Sequence, residues 1–223
     1  FGHHLVLNCF VLGRQMVLSP CFLGAEPNFI DAGPDAGLTL FRDEERLGLE
    51  LMRSLPERLH EKALVYRLMH DPAMPPGRFH RSDQRHLGGA FQDNRIIPYE
   101  GVSAAHFSPS MRERLLGLAT AFLEIMPDGA LAAKLRAMET HLDDTWFAWI
   151  GGTGDADPFY YRIQNPVVML EFDHHSGVFL TNTEPAKCHT HTIIRTPNGN
   201  DYGKDILRQH YEAVHPGRTP GGG

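Results

Sequence analysis

Several common signatures are missing from this sequence of 223 residues. Its 3 cysteines, Cys9, Cys21 and Cys188, match neither a disulfide framework nor the spacing of a zinc ribbon. No apolar run approaches the roughly 20 residues that a membrane-spanning helix needs. Glycine-rich loops that cradle phosphates or dinucleotides are absent, as is the turn that presents a nucleophilic serine. The sequence therefore gives no support for a disulfide-stapled, membrane-spanning, nucleotide-binding or serine-hydrolase protein.

The charge of the chain argues against a polyanionic partner. There are 21 Lys and Arg residues against 27 Asp and Glu residues, for a net charge of −6. We therefore expect neither nucleic acid nor an anionic membrane surface to bind, and we expect a small-molecule substrate instead. The first residue is Phe1, which predicts a fragment or a processed form lacking an N-terminal part. The absence of a signal peptide consequently leaves the localisation open.

Histidine is the residue that the sequence has in excess, with 14 copies. Many histidines and few cysteines favour metal ligation by imidazole and carboxylate groups. His189 and His191 lie two residues apart in a Thr- and Ile-rich run that favours a strand. Residues i and i+2 of a strand share one face, so both imidazoles are predicted to point to the same side. This pattern predicts half of a metal site.

The first predicted strand, expected to be buried, offers the third metal ligand. His3 and His4 fall on opposite faces of that strand, so at most one of them can join the pair. Carbonic-anhydrase-like and cupin-like sites combine ligands in this way. A cupin has a glutamate after its His-x-His pair at the place that Arg195 takes here, which disfavours a standard cupin. We predict one divalent metal ion, with zinc favoured over iron or copper.

Glu171 lies in an apolar strand-like run at 167–173, beside the predicted histidine strand. A charged group in such a run needs a partner. Three roles stay open: metal ligand, general base beside the metal, or partner of a core arginine, either Arg162 or Arg195. Asp173 shares the strand face and offers a second carboxylate.

Two further groups follow these strands. Arg195 has two possible roles, because it can hold a substrate carboxylate in a bidentate manner or pair with Asp201 and close a loop. His174 and His175 lie in a predicted turn, and we expect them to be solvated rather than ligands.

Strand-like segments come first and last in the chain, with helical patterns between them. This order predicts a single α+β domain over residues 1–215, with a largely antiparallel sheet and a layer of helices on one side. Residues 216–223 are predicted to be a disordered tail. Residues 71–106 are rich in Pro and Gly and have little periodicity, so we expect them to form a mobile cover over the site rather than part of the core.

The chain resembles domain-of-unknown-function family 3500 through seven short motifs spread over most of its length. These motifs are GHHLVLN at 2–8, FLGAEP at 22–27, FAW at 147–149, YYRI at 160–163, LEFD at 170–173, HTHTIIR at 189–195 and DYGKDILRQHY at 201–211. The resemblance implies no reaction. It implies site candidates at the matching positions, which are His3, His4, Glu171, His189, His191 and Arg195.

Three functions are compatible with these residues. The first is a metal-dependent hydrolase or lyase that acts on a small molecule through metal-activated water. The second is an iron or copper oxygenase that uses the same imidazoles with Glu171 as a fourth ligand. The third is a non-enzymatic module that binds a metal or a ligand. Metal identity separates the first two, and a closed coordination sphere without an adjacent pocket favours the third.

Overall fold

One mostly antiparallel β-sheet forms the centre of the molecule. The computed structural model describes residues 4–90 and 95–215, and the sheet within them has eight strands. The strands are β1 (Leu5–Leu12), β2 (Gln15–Ala25), β3 (Leu64–Tyr66), β4 (Val102–Ser103), β5 (Trp146–Gly151), β6 (Phe159–Gln164), β7 (Met169–His174) and β8 (Thr190–Arg195). Their spatial order is β1-β2-β8-β7-β6-β5-β3, with β4 also paired to β5. The β3–β5 pair is parallel and the other pairs are antiparallel.

Helices cover one face of this sheet. They are α1 (Arg42–Ser54), α2 (Glu57–Ala63), α3 (Pro109–Leu123) and α4 (Asp128–Thr140). A fifth helix, α5 (Lys204–Val214), has no buried residue and contributes none to the core under this layer. Helix α3 begins with a capping residue, because the Ser108 side chain accepts a hydrogen bond from the Met111 N–H and Pro109 takes the first helical position. Leucines of α1 and α3 pack with Trp149 and Leu170 of the sheet in one core. The α+β prediction is therefore confirmed. None of the helices in the described ranges has the length and apolar character required to cross a membrane.

Successive side chains of β7 point alternately to the helix-covered face of the sheet and to the opposite face, which carries polar groups. Leu170 and Phe172 belong to the core shared with the helices. Glu171 and Asp173 are fully buried and, because successive side chains of a strand alternate, point to the opposite face. Both faces of β7 are thus covered, although helices cover only one.

The second cover comes from the irregular segment at 71–106. Its middle part is fixed in the interior, since Arg85 is 0% exposed and Leu87 is 4% exposed. The expectation that this segment stays outside the core is therefore wrong for residues 84–89. Residues 91–94 lie outside the described residues.

The first strand also differs from the expectation. β1 pairs with β2 at one end of the strand order, and Leu5, Val6 and Leu7 are exposed. An edge position leaves one side of a strand without a neighbour, so the apolar run at 5–12 is more exposed than its composition predicts. β1 and β2 form an antiparallel hairpin, with Gly13 at φ 59° in its turn. The predicted ligand His3 and the predicted tail at 216–223 lie outside the described residues.

Candidate metal centre

Three imidazoles meet at the face of the sheet opposite the helices. The Nε2 atoms of His189 and His191 are 2.9 Å apart, and Nε2 of His4 is 3.2 Å from Nε2 of His191. Each of the three residues offers a ligand atom within 4.8 Å of the others. Tetrahedral zinc with Zn–N bonds of 2.0–2.1 Å separates its ligand atoms by about 3.3 Å. The ring nitrogens are therefore already close to the separation that one zinc ion requires.

The strands place these rings by register. His191 of β8 lies opposite Gly24 of β2, and the Gly24 N–H donates a 2.9 Å hydrogen bond to the carbonyl of His4. A Cβ atom on Gly24 would stand 2.7 Å from Cδ2 of His191 and 2.9 Å from Cδ2 of His4. Glycine at this position therefore allows the two rings to meet over the backbone.

Gly24→Ala should consequently weaken zinc binding. We expect the dissociation constant to rise by about 10–100-fold, as for the loss of groups that orient metal ligands, because the added methyl displaces both rings. Competition with a chromophoric chelator measures the constant. Gly117→Ala is the matched control, since a Cβ on this glycine of α3 meets no atom within 4 Å. Equal zinc affinity in Gly24→Ala and wild type would show that the close contact does not position the rings.

A backbone carbonyl fixes the tautomer of His189. Its Nδ1 lies 2.7 Å from the carbonyl oxygen of Ser176, which can only accept a hydrogen bond. Nδ1 therefore carries the proton, and the Nε2 lone pair points toward His191 and His4. This arrangement is typical of metal-binding histidines, whose second nitrogen donates to a carbonyl or a carboxylate.

A second group of imidazoles adjoins the first and shares His191 with it. His86, His175 and His191 offer ligand atoms within 4.8 Å of one another. The rings of His175 and His191 have centroids 3.8 Å apart. The backbone N–H of His175 donates a 2.8 Å hydrogen bond to the backbone carbonyl of His189, which continues the pairing of β7 and β8 by one residue. The expectation that His175 is solvated is therefore wrong, since it is 1% exposed.

The adjacent His174 lies on the other face. Its Nε2 is 3.3 Å from Oε2 of Glu45 in α1, and its Nδ1 accepts a hydrogen bond from the Phe159 N–H at 3.1 Å. The strand alternation thus divides the His174-His175 pair between the helix layer and the face that carries the histidine cluster.

Burial keeps the imidazoles of His175 and His191 neutral. Desolvation lowers the pKa of His175 to about 4, although Asp173 opposes the shift. Desolvation and the surrounding imidazoles of His175, His86, His189 and His4 hold the pKa of His191 well below its usual range. Neutral imidazole is the form that binds metals, so these rings are ready as ligands near neutral pH.

The carboxylate of Glu171 is hydrogen-bonded by the irregular segment at 71–106, called the covering segment below, rather than by an arginine. Its carboxylate accepts hydrogen bonds from the N–H groups of Leu87 and Gly88, both at 2.8 Å, and from the Tyr160 hydroxyl at 2.6 Å. Burial raises the pKa of Glu171, but the neighbouring His86, the Arg162 charge and the Leu87 N–H lower it to about 2. The carboxylate is thus ionised and belongs to neither three-histidine group in the described chain.

The two arginines proposed as partners of Glu171 have other carboxylates. Arg162 bonds to Glu100 at 3.0 Å. Arg195 bonds to Asp201 at 3.0 Å, which is one of the two alternatives predicted for it, and donates to the carbonyls of Gly88 and Gly89 at 2.8 and 2.9 Å. No ion pair between Glu171 and either arginine is present among the described contacts, so the structure does not favour this one of the three predicted roles, although the Arg162 charge still acts on the Glu171 pKa.

A buried ion pair fixes the other end of the segment. Nε of Arg85 is 2.6 Å from Oδ1 of Asp173, and both side chains are 0% exposed. Burial raises the pKa of Asp173, yet Arg85 and His175 hold it well below its ordinary value. Arg85 also donates to the carbonyl of His174 at 2.6 Å. His86 lies between Arg85, which is bound to Asp173, and Leu87, which is bound to Glu171. These two contacts place His86 over the histidine cluster.

A cleft of about 1010 Å³ opens beside the histidines. His4, His175, His189 and His191 line it, and His86 does not. Its other walls combine apolar and polar side chains, including Val6, Phe22, Phe79, Ile193, Arg81, Gln84 and Arg195. The cleft is large enough for a small organic molecule.

Comparison with known proteins gives a family and nothing more specific. A family model described as "Protein of unknown function (DUF3500)" matches residues 1–204. No curated protein and no solved structure matches the chain.

Proposed function

Because the chain belongs to the DUF3500 family, a family described as of unknown function, we propose its function from the geometry of its histidines. The proposed function is that of a metal-dependent enzyme that acts on a small molecule through metal-activated water, as a hydrolase or a lyase. His4, His189 and His191 are the proposed ligands of the metal.

One observation carries the proposal. Three imidazoles converge with Nε2 separations of 2.9 and 3.2 Å at the wall of a cleft. Three protein ligands beside an accessible volume are characteristic of catalytic zinc sites, whereas structural sites close the sphere with a fourth protein ligand. A bound divalent ion supplies Lewis acidity and lowers the pKa of a coordinated water to about 7.

The ligand chemistry favours zinc. The two described ligand groups consist of histidine alone, without a carboxylate. Iron oxygenases typically use two histidines and one carboxylate, and Glu171, the expected fourth ligand, already accepts three hydrogen bonds. Copper oxygen chemistry is the second candidate, because an all-imidazole set also suits copper.

We assign positioning roles to the other two predicted site residues. Arg195 donates from Nε to the carbonyl of Gly88, from Nη1 to the carboxylate of Asp201 and from Nη2 to the carbonyl of Gly89. The guanidinium therefore holds the covering segment beside the cleft. Glu171 binds the N–H groups of the same segment. Both residues therefore support the cleft wall instead of reacting with substrate.

Glu171→Gln tests this assignment against the roles of ligand and general base. The variant keeps the shape but loses one acceptor, so we expect the free energy of unfolding to fall by about 1–3 kcal/mol. Zinc content should stay at the wild-type value, and turnover should fall by less than tenfold. Metal loss would identify Glu171 as a ligand. A variant with wild-type zinc content and wild-type stability, but with a turnover lower by ~10²–10⁴, would identify Glu171 as the general base.

The activity is tested with the zinc-loaded protein and chromogenic 4-nitrophenyl carboxylic and phosphate esters. We expect hydrolysis of at least one ester class above that of chelator-treated protein, and no excess for His189→Ala. In Co²⁺-substituted protein, azide should change the visible spectrum, because an open coordination position accepts an added ligand. An unchanged spectrum and no hydrolysis would favour a non-enzymatic binding module. Oxygen consumption by the copper-loaded protein would favour the oxygenase.

A further inference from the structure

We infer that the histidine cluster holds two metal ions, the second bound by His86, His175 and the shared His191. This inference rests on the proposed function, since His191 also belongs to the first position. It assigns a role to two histidines that the three-ligand centre does not use.

The state of His86 is the first observation. Its side chain is 1% exposed, and neither Nδ1 nor Nε2 has a hydrogen-bond partner in the described structure. Nδ1 lies 3.7 Å from Oε2 of Glu171, beyond hydrogen-bonding distance. A buried polar group without a partner is costly, and most such groups in proteins are satisfied. A cation between His86 and its neighbouring imidazoles would satisfy one of these nitrogens.

The second observation concerns the two sides of the His191 ring. Nε2 faces His189 and His4, whereas Nδ1 is buried without a partner. Nδ1 is thus free for a second ion. To bind through both nitrogens the ring must become an imidazolate, so its one N–H proton leaves to solvent and the negative ring lies between two cations.

The third observation is that His175 also has a buried ring nitrogen without a hydrogen-bond partner. Its Nε2 lies 3.1 Å from Oδ2 of Asp173, but the two groups are not aligned for a hydrogen bond. The Asp173 carboxylate, which is bound to Arg85 at 2.6 Å, places a negative charge beside this ring. Each of the three residues of the second position therefore has a buried nitrogen that no described group satisfies, and a cation is a partner that such nitrogens can bind.

The two positions differ in how their ligands meet the cleft. All three ligands of the first position line it, and so does His175, but His86 does not. Two metal–nitrogen bonds and the width of one imidazole would place bridged ions roughly 6 Å apart, wider than the ~3.5–4 Å at which two metals clamp one substrate. The second ion would therefore not clamp a substrate together with the first, and would act by holding His191, His175 and the segment that carries His86.

Zinc stoichiometry tests the inference. Protein stripped with chelator is loaded with excess Zn²⁺, freed of unbound ion by gel filtration, and measured by elemental analysis. We expect two equivalents for wild type and one each for His86→Ala and His4→Ala. His106→Ala, which removes an exposed histidine next to α3, should keep two. His86→Gln, expected to bind one equivalent, replaces His86→Ala if that variant does not fold by near-UV circular dichroism.

The outcomes separate this inference from the proposed function. One equivalent in wild type, retained by His86→Ala and lost by His4→Ala, would overturn the second position and leave the first. Two equivalents in both wild type and the folded His86 variant would overturn the assignment of His86. No zinc in wild type would overturn both proposals.

Discussion

Alanine at His189 or at His191 should reduce zinc at the three-histidine position to near zero while the protein stays folded. Each substitution removes one of three Nε2 atoms that lie 2.9 and 3.2 Å apart. Two remaining imidazoles are fewer protein ligands than zinc sites ordinarily use. Elemental analysis of the loaded variants measures the loss, and far-UV circular dichroism checks the fold.

His174→Asn is the matched control for these variants. His174 is buried and lies next to His175 in the chain, but it contacts Glu45 on the helix-covered face. Its replacement removes a buried histidine without removing a proposed ligand, so the zinc content should stay at the wild-type value. Full zinc occupancy in both His189→Ala and His191→Ala would contradict the assignment of the ligands.

Arg85→Met should lower the free energy of unfolding by about 3–5 kcal/mol, because it leaves the Asp173 charge buried and unpaired. Methionine occupies part of the arginine volume but provides no donor for Asp173 or for the carbonyl of His174. Urea denaturation of the metal-free proteins at pH 7 measures the difference. Metal-free protein is used because bound zinc would add its own stabilisation.

Arg112→Met is the control for this substitution. Arg112 also lies 2.6 Å from a carboxylate, that of Asp143, but their side chains are 30% and 75% exposed. Exposed ion pairs contribute about 0–1 kcal/mol, so a small effect is expected. A loss of 1 kcal/mol or less in Arg85→Met would show that the buried pair does not hold the segment.

The pH dependence of the Arg85→Met effect has a definite sign. Folding lowers the pKa of Asp173, so its ion pair contributes stability that is fully present above about pH 4, the ordinary pKa of aspartate. This contribution is lost as the pH falls toward the depressed pKa of the folded state. The difference between wild type and Arg85→Met should therefore shrink below pH 4.

Local patterns were sufficient to predict part of the candidate metal centre. The spacing of His189 and His191 predicts a common face in extended chain, and the structure has His191 in β8 with His189 directly before its first residue. The arrival of His4 beside them required only that the first strand join the same sheet. The alternation of Glu171 and Asp173 was read correctly for the same reason, since the period of a strand does not depend on its partners.

His175 was missed although the sequence contains a signal for it. Asp173 and His175 continue the period-two pattern that begins at Glu171, so all three share a face if the strand extends by one residue. The Ser-Gly turn that follows suggested a solvated end instead. The hydrogen bond from the His175 N–H to His189 supplies the extension, and it depends on a strand distant in sequence.

His86 has no comparable local signal. It lies in a segment without periodicity, and its position follows from long-range contacts of Arg85 with Asp173 and of Leu87 with Glu171. The sequence did indicate that Glu171 needs a partner, but it does not show whether that partner is an arginine side chain or a backbone N–H group. Such pairings arise from the packing of the whole chain, which a single sequence does not display.

The metal content of the wild-type protein, purified without chelator, tests the central claim most directly. Elemental analysis should find at least one equivalent of a divalent metal, zinc in preference to iron or copper, because the imidazoles of His4, His189 and His191 converge beside a cleft. Protein that contains no metal, and that binds no zinc, iron or copper when each is added in excess, would contradict the account.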